Sequence, residues 1–295
     1  MWAKGFGFAD ISAQRVPADT TTYHLASLTK PFASTVLLQL VEEGKVSLDD
    51  PVSMYGISLP GSDVIRVRHL LSMTSEGTPG SKFLYNGDRY ALLESVITRA
   101  AGKSFAAALQ ERIISRIGLT RTAPNPQSPS FSVSGLDKAT FEENLAHGYT
   151  YTNRSYSPTT YPSSFGTAAG LTASALDVAQ FSMAMDRDVF LKPATKALAW
   201  TPVTSPAGET FPYGLGWFST EYRGVRVIWH YGYWTANSSL IVKVPDRGLT
   251  FVVLANTDGL SSPYPLGAGK LDTSPWAREF LDTFVIGSLA LPDSR

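Results

Sequence analysis

Apolar positions fall into two spacings, and the two are segregated along the chain. Phe32, Val36, Leu37, Leu40 and Val41 recur at helical spacing and predict a helix over 27–43, stopped by Gly44. Residues 68–73 predict a short buried helix. Tyr90 to Ala101 predicts a longer one closed by Gly102, and Ser104 to Ile117 a third, with Ser104 as cap and Gly118 as terminator. Thr172 to Met185 is helical again, capped by Thr172 or Ser174, and Ser274 to Leu289 predicts a closing helix. From Tyr213 onward the pattern changes. Residues 225–230, 239–244 and 249–254 are β-rich runs separated by turn residues such as Pro245-Asp246-Arg247-Gly248. Such short turns imply antiparallel neighbours. Residues 1–11, aromatic and small, predict an opening strand. The order strand, many helices, hairpin strands, helix gives an α+β fold: an antiparallel sheet flanked by helices, with an inserted, mostly helical lobe. We expect one unit over 1–295, its sheet lobe at about 1–26 and 210–295 and its helical lobe at about 27–209.

Residues 120–167 follow neither spacing. They are rich in Ser, Pro, Thr, Asn and Tyr. An irregular stretch this long is commonly functional, and its tyrosines with Phe131, Phe141 and Phe165 require burial or a ligand. We read it as a wall or lid over a site, and count Tyr149 among the substrate contacts.

Composition narrows the chemistry. With 25 basic and 25 acidic residues, the chain lacks the electrostatic footprint of a nucleic-acid binder. No cysteine is present, which excludes disulfides and a thiolate nucleophile. The four histidines have no metal-ligand spacing, so no metal or other cofactor is expected. No apolar run reaches membrane-spanning length. The first residues lack the charged and apolar regions of a signal peptide; the compartment stays open, cytoplasmic or exported after loss of a leader. Oligomeric state is likewise open.

Ser27-Leu28-Thr29-Lys30 carries the candidate chemistry. Helix positions i and i+3 are neighbours, so the lysine amine can lie beside the serine oxygen. A desolvated lysine can take the serine's proton, and the free N–H groups of a helix start favour an alkoxide.

The stretches around this motif resemble the serine β-lactamase-like superfamily, in its class C β-lactamase, DD-peptidase and esterase branch. The resemblance rests on residues 5–10, 24–32, 40–51, 68–75, 169–177 and 213–217, in order over roughly 5–257. It implies Ser27 as the acylated nucleophile and Lys30 as its base or proton relay. It also implies that a first helix and strand normally precede residue 1, which would leave the opening strand as an unprotected edge. In the second motif, Tyr85 matches the catalytic tyrosine, and Gly87 stands where the family has asparagine; Asn86 is a candidate to compensate. In the third, His230-Tyr231-Gly232 replaces lysine-threonine-glycine. The resemblance assigns these residues to substrate binding and the oxyanion hole to the N–H groups of Ser27 and Tyr233.

Histidine in place of lysine removes a permanent cation and weakens selection for anionic substrates. The expected function is therefore hydrolysis of small esters or amides through an acyl-enzyme, foremost as a carboxylesterase with weak β-lactam turnover. The alternatives are a β-lactamase, a DD-peptidase or D-aminopeptidase, and a non-catalytic penicillin-recognising sensor or scaffold.

Overall fold

Apolar residues on every side of one helix decide where the core lies. In the computed structural model, which describes residues 1–61 and 63–287, helix α1 (Thr29–Glu42) is buried continuously from Thr29 to Leu40. A helix apolar all round must sit inside the protein. The polar side chains it carries inward are bonded there: Ser34 donates to Leu215 O at 2.6 Å and Thr35 to Pro31 O at 2.8 Å. Pro31 is tolerated because the first turn lacks intrahelical partners for its N–H positions. Helices α4 (Leu93–Ala101) and α5 (Phe105–Leu109) pack on α1, and α2 (Val67–Leu71) and α3 (Gly87–Ala91) pack on α4. Helix α6 (Ser115–Ile117) follows, and α7 (Lys138–Glu143) sets Phe141 against Phe131 and Ala123 in a separate small cluster.

The helix expected over 90–101 starts earlier and is broken at Leu92, because Asn86 caps it through Asp88 N and Arg89 N. Ser104 and Gly118 do bound the next helical stretch, but its middle, Gln110–Ile114, is a wider π turn. Thr172 falls in a strand, and Ser174 caps the helix that follows.

Three strands form a small sheet in the order β1-β5-β2: β1 (Thr22–His24), β2 (Thr122–Pro124) and β5 (Leu171–Ser174), all antiparallel. Between β2 and β5, Tyr149–Thr152 (β3) and Ser155–Pro158 (β4) make an exposed hairpin. The main sheet is β6 (Phe218–Tyr222), β7 (Val225–Trp234), β8 (Asn237–Val244) and β9 (Leu249–Ala255), antiparallel in that order. Helix α8 (Ala175–Asp186) reaches Thr250 through Ser182, after which comes α9 (Pro193–Trp200), while Phe280 of α10 (Pro275–Leu281) stacks on Phe251 at 5.1 Å. Adjacent strand residues face opposite sides, so α8 and α10 cover the two faces of the sheet. That is why β8 is buried at every position. The C-terminal helix expected to reach Leu289 is seen as far as Ile286, with Gly287 as its C-cap; residues 288 and 289 lie outside the described residues.

The opening segment corrects the sequence reading: residues 1–11 form no strand. Gly7 has φ +66, and the chain turns over 10–15, where Ala9 N and Arg15 N bond across the turn and Asp10 Oδ1 accepts from Ser12 and Ala13. Asn256 Nδ2 donates to Phe8 O and so ties the segment to the end of β9.

One polar cluster lies between α8 and the sheet. Lys243 of β8 is fully buried and donates to Asp186 Oδ2 at 2.9 Å and to Ser182 Oγ. Burial lowers its pKa, and Asp186 opposes the shift. Asp186→Ala strands the amine and is expected to cost about 3 kcal/mol in urea unfolding. A loss within error of zero would mean that Lys243 is held neutral by its hydroxyl partners alone.

Candidate active site

The turn between β1 and α1 is built to present Ser27. Leu25 N donates to Leu171 O at 2.8 Å, and Ser239 Oγ donates to Leu25 O at 2.7 Å. Between these anchors Ala26 is held at φ +47, a left-handed conformation that costs a residue with a Cβ about 1–2 kcal/mol. Thr29 Oγ1 secures it by donating to Ala26 O at 2.7 Å. Ser27 then lies in a single 3-10 turn, Ala26–Leu28, ahead of α1. It caps nothing, so its hydroxyl is left for Lys30.

Lys30 Nζ lies 2.8 Å from Ser27 Oγ and donates to Ala168 O at 2.9 Å. The lysine is wholly buried, and burial lowers its pKa to about 7, with Asp88 pulling the other way. Near neutral pH much of it is therefore free amine. With one N–H given to Ala168 O, the lone pair can point at the serine proton.

Tyr85 stands beside this pair. Its hydroxyl is buried and completes no hydrogen bond, and its ring centroid is 5.2 Å from Lys30 Nζ. Burial first, then Tyr231, raise its pKa well above 10, while the Ser27 hydroxyl pulls it down. It remains a phenol, able to hand on a proton but not to act as a phenolate. Phe218 and Tyr231 hold the ring at 5.7 and 5.6 Å.

His230 is placed behind Tyr85 and is fully buried. Its Nδ1 is 2.7 Å from Tyr231 O, an atom that can only accept, so Nδ1 carries the proton. Nε2 then accepts from the Tyr213 hydroxyl at 3.0 Å. Burial, then the Lys30 charge, push its pKa well below the usual value. Both nitrogens are occupied inside the protein, so His230 supports the wall behind Tyr85 and offers no side-chain contact to a substrate.

Gly232 brings β7 against the Ser27 turn. A Cβ there would lie 2.0 Å from Leu25 O and 2.3 Å from Ser239 Oγ. β6 begins at Phe218, opposite Trp229, so residues 230–234 pair with β8 on one side only. The other edge of this stretch approaches Ser27, and Tyr233, 46% exposed, follows Gly232 at its rim.

The sequence pattern of the Beta-lactamase family matches residues 1–269. The chain belongs to the Beta-lactamase family. It is 25% identical over 311 residues to Penicillin-binding protein 4* of Bacillus subtilis, covering 88% of this chain and 66% of that protein. It is also 25% identical over 338 residues to the unguisins hydrolase ungD' of Aspergillus campestris, at 93% and 60% coverage. The chain thus spans less than two thirds of the length of either relative. Among solved structures it is similar to an octameric penicillin-binding protein homologue from Pyrococcus abyssi, with a TM-score of 0.78, 23% identity and coverage of 92% and 69%. It is also similar to EstCE1, a hydrolase with promiscuous acyltransferase activity, with a TM-score of 0.72, 20% identity and coverage of 91% and 89%.

Against the family pattern, Asn86 does not substitute for the missing asparagine. Its Oδ1 caps α3 and its Nδ2 donates to Glu76. A Cβ at Gly87 would meet only open space. Tyr149 is also elsewhere: its hydroxyl accepts from Ile11 N at 2.8 Å and sits against Asp10 Oδ1, holding the opening segment. It is therefore a structural tyrosine rather than a substrate contact. Sequence reasoning misses Ala168, because a backbone carbonyl leaves no mark in residue type; only its place before Ala169-Gly170-Leu171 hints at it. Tyr213 belongs to a stretch typical of the family, but nothing in its position signals the bond to His230. Among the described residues no three His, Cys, Asp or Glu side chains are grouped to hold a metal ion. No described helix is long and apolar enough to cross a membrane.

Proposed function

We propose that this Beta-lactamase-family chain is a serine hydrolase that forms an acyl-enzyme on Ser27, with small uncharged carboxylic esters as preferred substrates and amides or β-lactams turned over more slowly. The observation that carries the reading is the 2.8 Å approach of a wholly buried Lys30 amine to Ser27 Oγ. In acylation, Ser27 Oγ bonds to the substrate carbonyl carbon as its proton passes to Lys30. The two N–H groups of Ser27 and Tyr233 serve as oxyanion donors. The bond to the leaving oxygen then breaks, and the proton reaches that oxygen through the Tyr85 phenol. Lys30 is neutral again and accepts a proton from water as it attacks the acyl carbon; the bond from that carbon to Ser27 Oγ then breaks, and Lys30 returns the proton to the serine oxygen. No residue at this centre supplies a fixed cation once Lys30 is neutral, which favours uncharged esters over anionic β-lactams.

Intact-mass spectrometry tests the reading. Wild type should gain the acyl mass from a p-nitrophenyl ester and lose it again, whereas Ser27→Ala should gain none. A stable β-lactam adduct without ester turnover would favour a penicillin-recognising sensor. Absence of any adduct would favour a scaffold.

A further inference from the structure

Against the strand that carries Gly232 lies a buried serine with one side-chain bond to make. Ser261 comes after β9 and is 3% exposed. Among the described residues its Oγ has a single partner, the Gly232 carbonyl, to which it donates at 3.0 Å. Its own backbone is fixed on both sides: Ser261 N donates to Asp258 O, and Tyr264 N donates to Ser261 O, each at 3.1 Å. One residue earlier, Leu260 N donates to Ser238 Oγ at 3.2 Å, and that hydroxyl donates to Thr257 O at 2.6 Å. Ser238 is fully buried in β8, opposite Tyr233. The turn that presents Ser261 is thereby fastened to the strand beside Gly232.

The bond reaches the reaction through one peptide unit. Gly232 O and Tyr233 N belong to the same amide, and no described peptide bond is cis. In a trans amide the carbonyl and the N–H point to opposite sides. A hydroxyl held on the carbonyl therefore fixes the direction of the Tyr233 N–H. Gly232 restrains this unit little by itself, because it has no Cβ, and β6 does not extend to it. A hydrogen bond accepted by a carbonyl also polarises its amide and strengthens the N–H as a donor.

We propose that Ser261 is a positioning residue for the oxyanion hole, its hydroxyl orienting and polarising the Gly232–Tyr233 amide toward the substrate oxygen. The inference rests on the serine-hydrolase reading and on the Tyr233 N–H as one of the two oxyanion donors. Its effect passes through that amide. A stronger, better-aimed N–H gains most when the substrate oxygen carries negative charge, so Ser261 acts on the transition state more than on bound substrate. The effect also depends on which atom receives the charge.

The test compares a p-nitrophenyl ester with its thionoester, in which sulfur replaces the carbonyl oxygen. Sulfur is the weaker hydrogen-bond acceptor, so an oxyanion hole favours the oxygen ester. Each kcat/KM is divided by the hydroxide-catalysed rate of the same compound. Wild type should favour the oxygen ester by roughly tenfold or more. Ser261→Ala should lower oxygen-ester kcat/KM roughly tenfold, the scale of one buried hydrogen bond. The thionoester should lose much less, so the ratio shrinks. Ser261→Cys keeps the side-chain size but is only a weak donor, and should shrink the ratio in the same sense even where the alanine variant does not fold. A ratio unchanged in the variants, whether turnover is kept or falls in parallel for both compounds, would overturn the inference: Ser261 would then only hold its turn. A wild-type ratio near one would remove the Tyr233 N–H as a donor, and the inference with it, while leaving the serine hydrolase intact. No turnover of either compound, with no Ser27 adduct, would overturn both.

Discussion

Replacing Lys30 by methionine should lower kcat/KM for a p-nitrophenyl ester by roughly 10²–10⁴-fold, the range of a lost general base. The wild-type pH profile should identify the group. In the proposed mechanism the neutral amine is the active form, and the Lys30 pKa is lowered to about 7, so kcat/KM should rise with pH through a limb centred near 7 and then level off. Tyr85 imposes no fall below pH 10, because its pKa is raised well above that value. The variant should lose the limb. Persistence of the same limb in Lys30→Met would assign the titration elsewhere.

Stability separates this loss from misfolding. The folded pKa of Lys30, about 7, lies below its ordinary 10.5. Between these values the unfolded chain holds a proton that the native protein does not, so the group's contribution to stability rises with pH across that window. Below about pH 7 the native protein buries a cation. Lys30→Met removes that cost, and at pH 6 it should unfold at a urea concentration no lower than wild type.

Gly232→Ala should be the most damaging small substitution in the site. Its new Cβ meets the Leu25 carbonyl, a backbone atom fixed by Ser239, and that atom cannot swing aside. β7 must withdraw from the Ser27 turn, which carries the Tyr233 N–H away from the Ser27 N–H. Loss of one oxyanion donor lowers kcat by about 10²–10³-fold, and the strain should cost several kcal/mol in urea unfolding, above the ~1–3 typical of overpacking. Adding Ser239→Ala removes the side-chain clash but leaves the carbonyl, so it should not rescue. Wild-type kcat and an unchanged unfolding midpoint would show that the strand edge is free to move and that Gly232 does not set the spacing of the two donors.

The parts legible in the sequence are those whose physics is local. Helical spacing in 32–41 marks α1, and its all-round apolar character tells of its burial. The i, i+3 spacing of Ser27 and Lys30 is enough to place amine beside hydroxyl. Hairpin turns mark β7 to β9. The errors share a cause. Residues 1–11 have strand-like composition, but a strand needs a partner, and their hydrogen bonds go into a turn instead. Asn86 is a sound candidate by position, yet the free N–H groups of α3 claim its oxygen. Tyr149 and His230 are polar residues in the expected stretches whose polar atoms are taken by Ile11 and Asp10 and by Tyr213 and Tyr231.

Residue type and order by themselves determined the class of fold and the family and singled out Ser27 with its neighbouring amine as the candidate pair, because each depends on short-range spacing or on motifs in series. Only the tertiary structure decided what those residues can do. The depth of Lys30 sets its pKa, and the Ala168 carbonyl, distant in sequence, aims it. The left-handed Ala26 turns Ser27 toward the amine, and Gly232 admits a strand more than two hundred residues away. Desolvation and close approach are properties of packed neighbours, and neighbours brought together across long sequence separations leave no periodic trace in the chain that carries them.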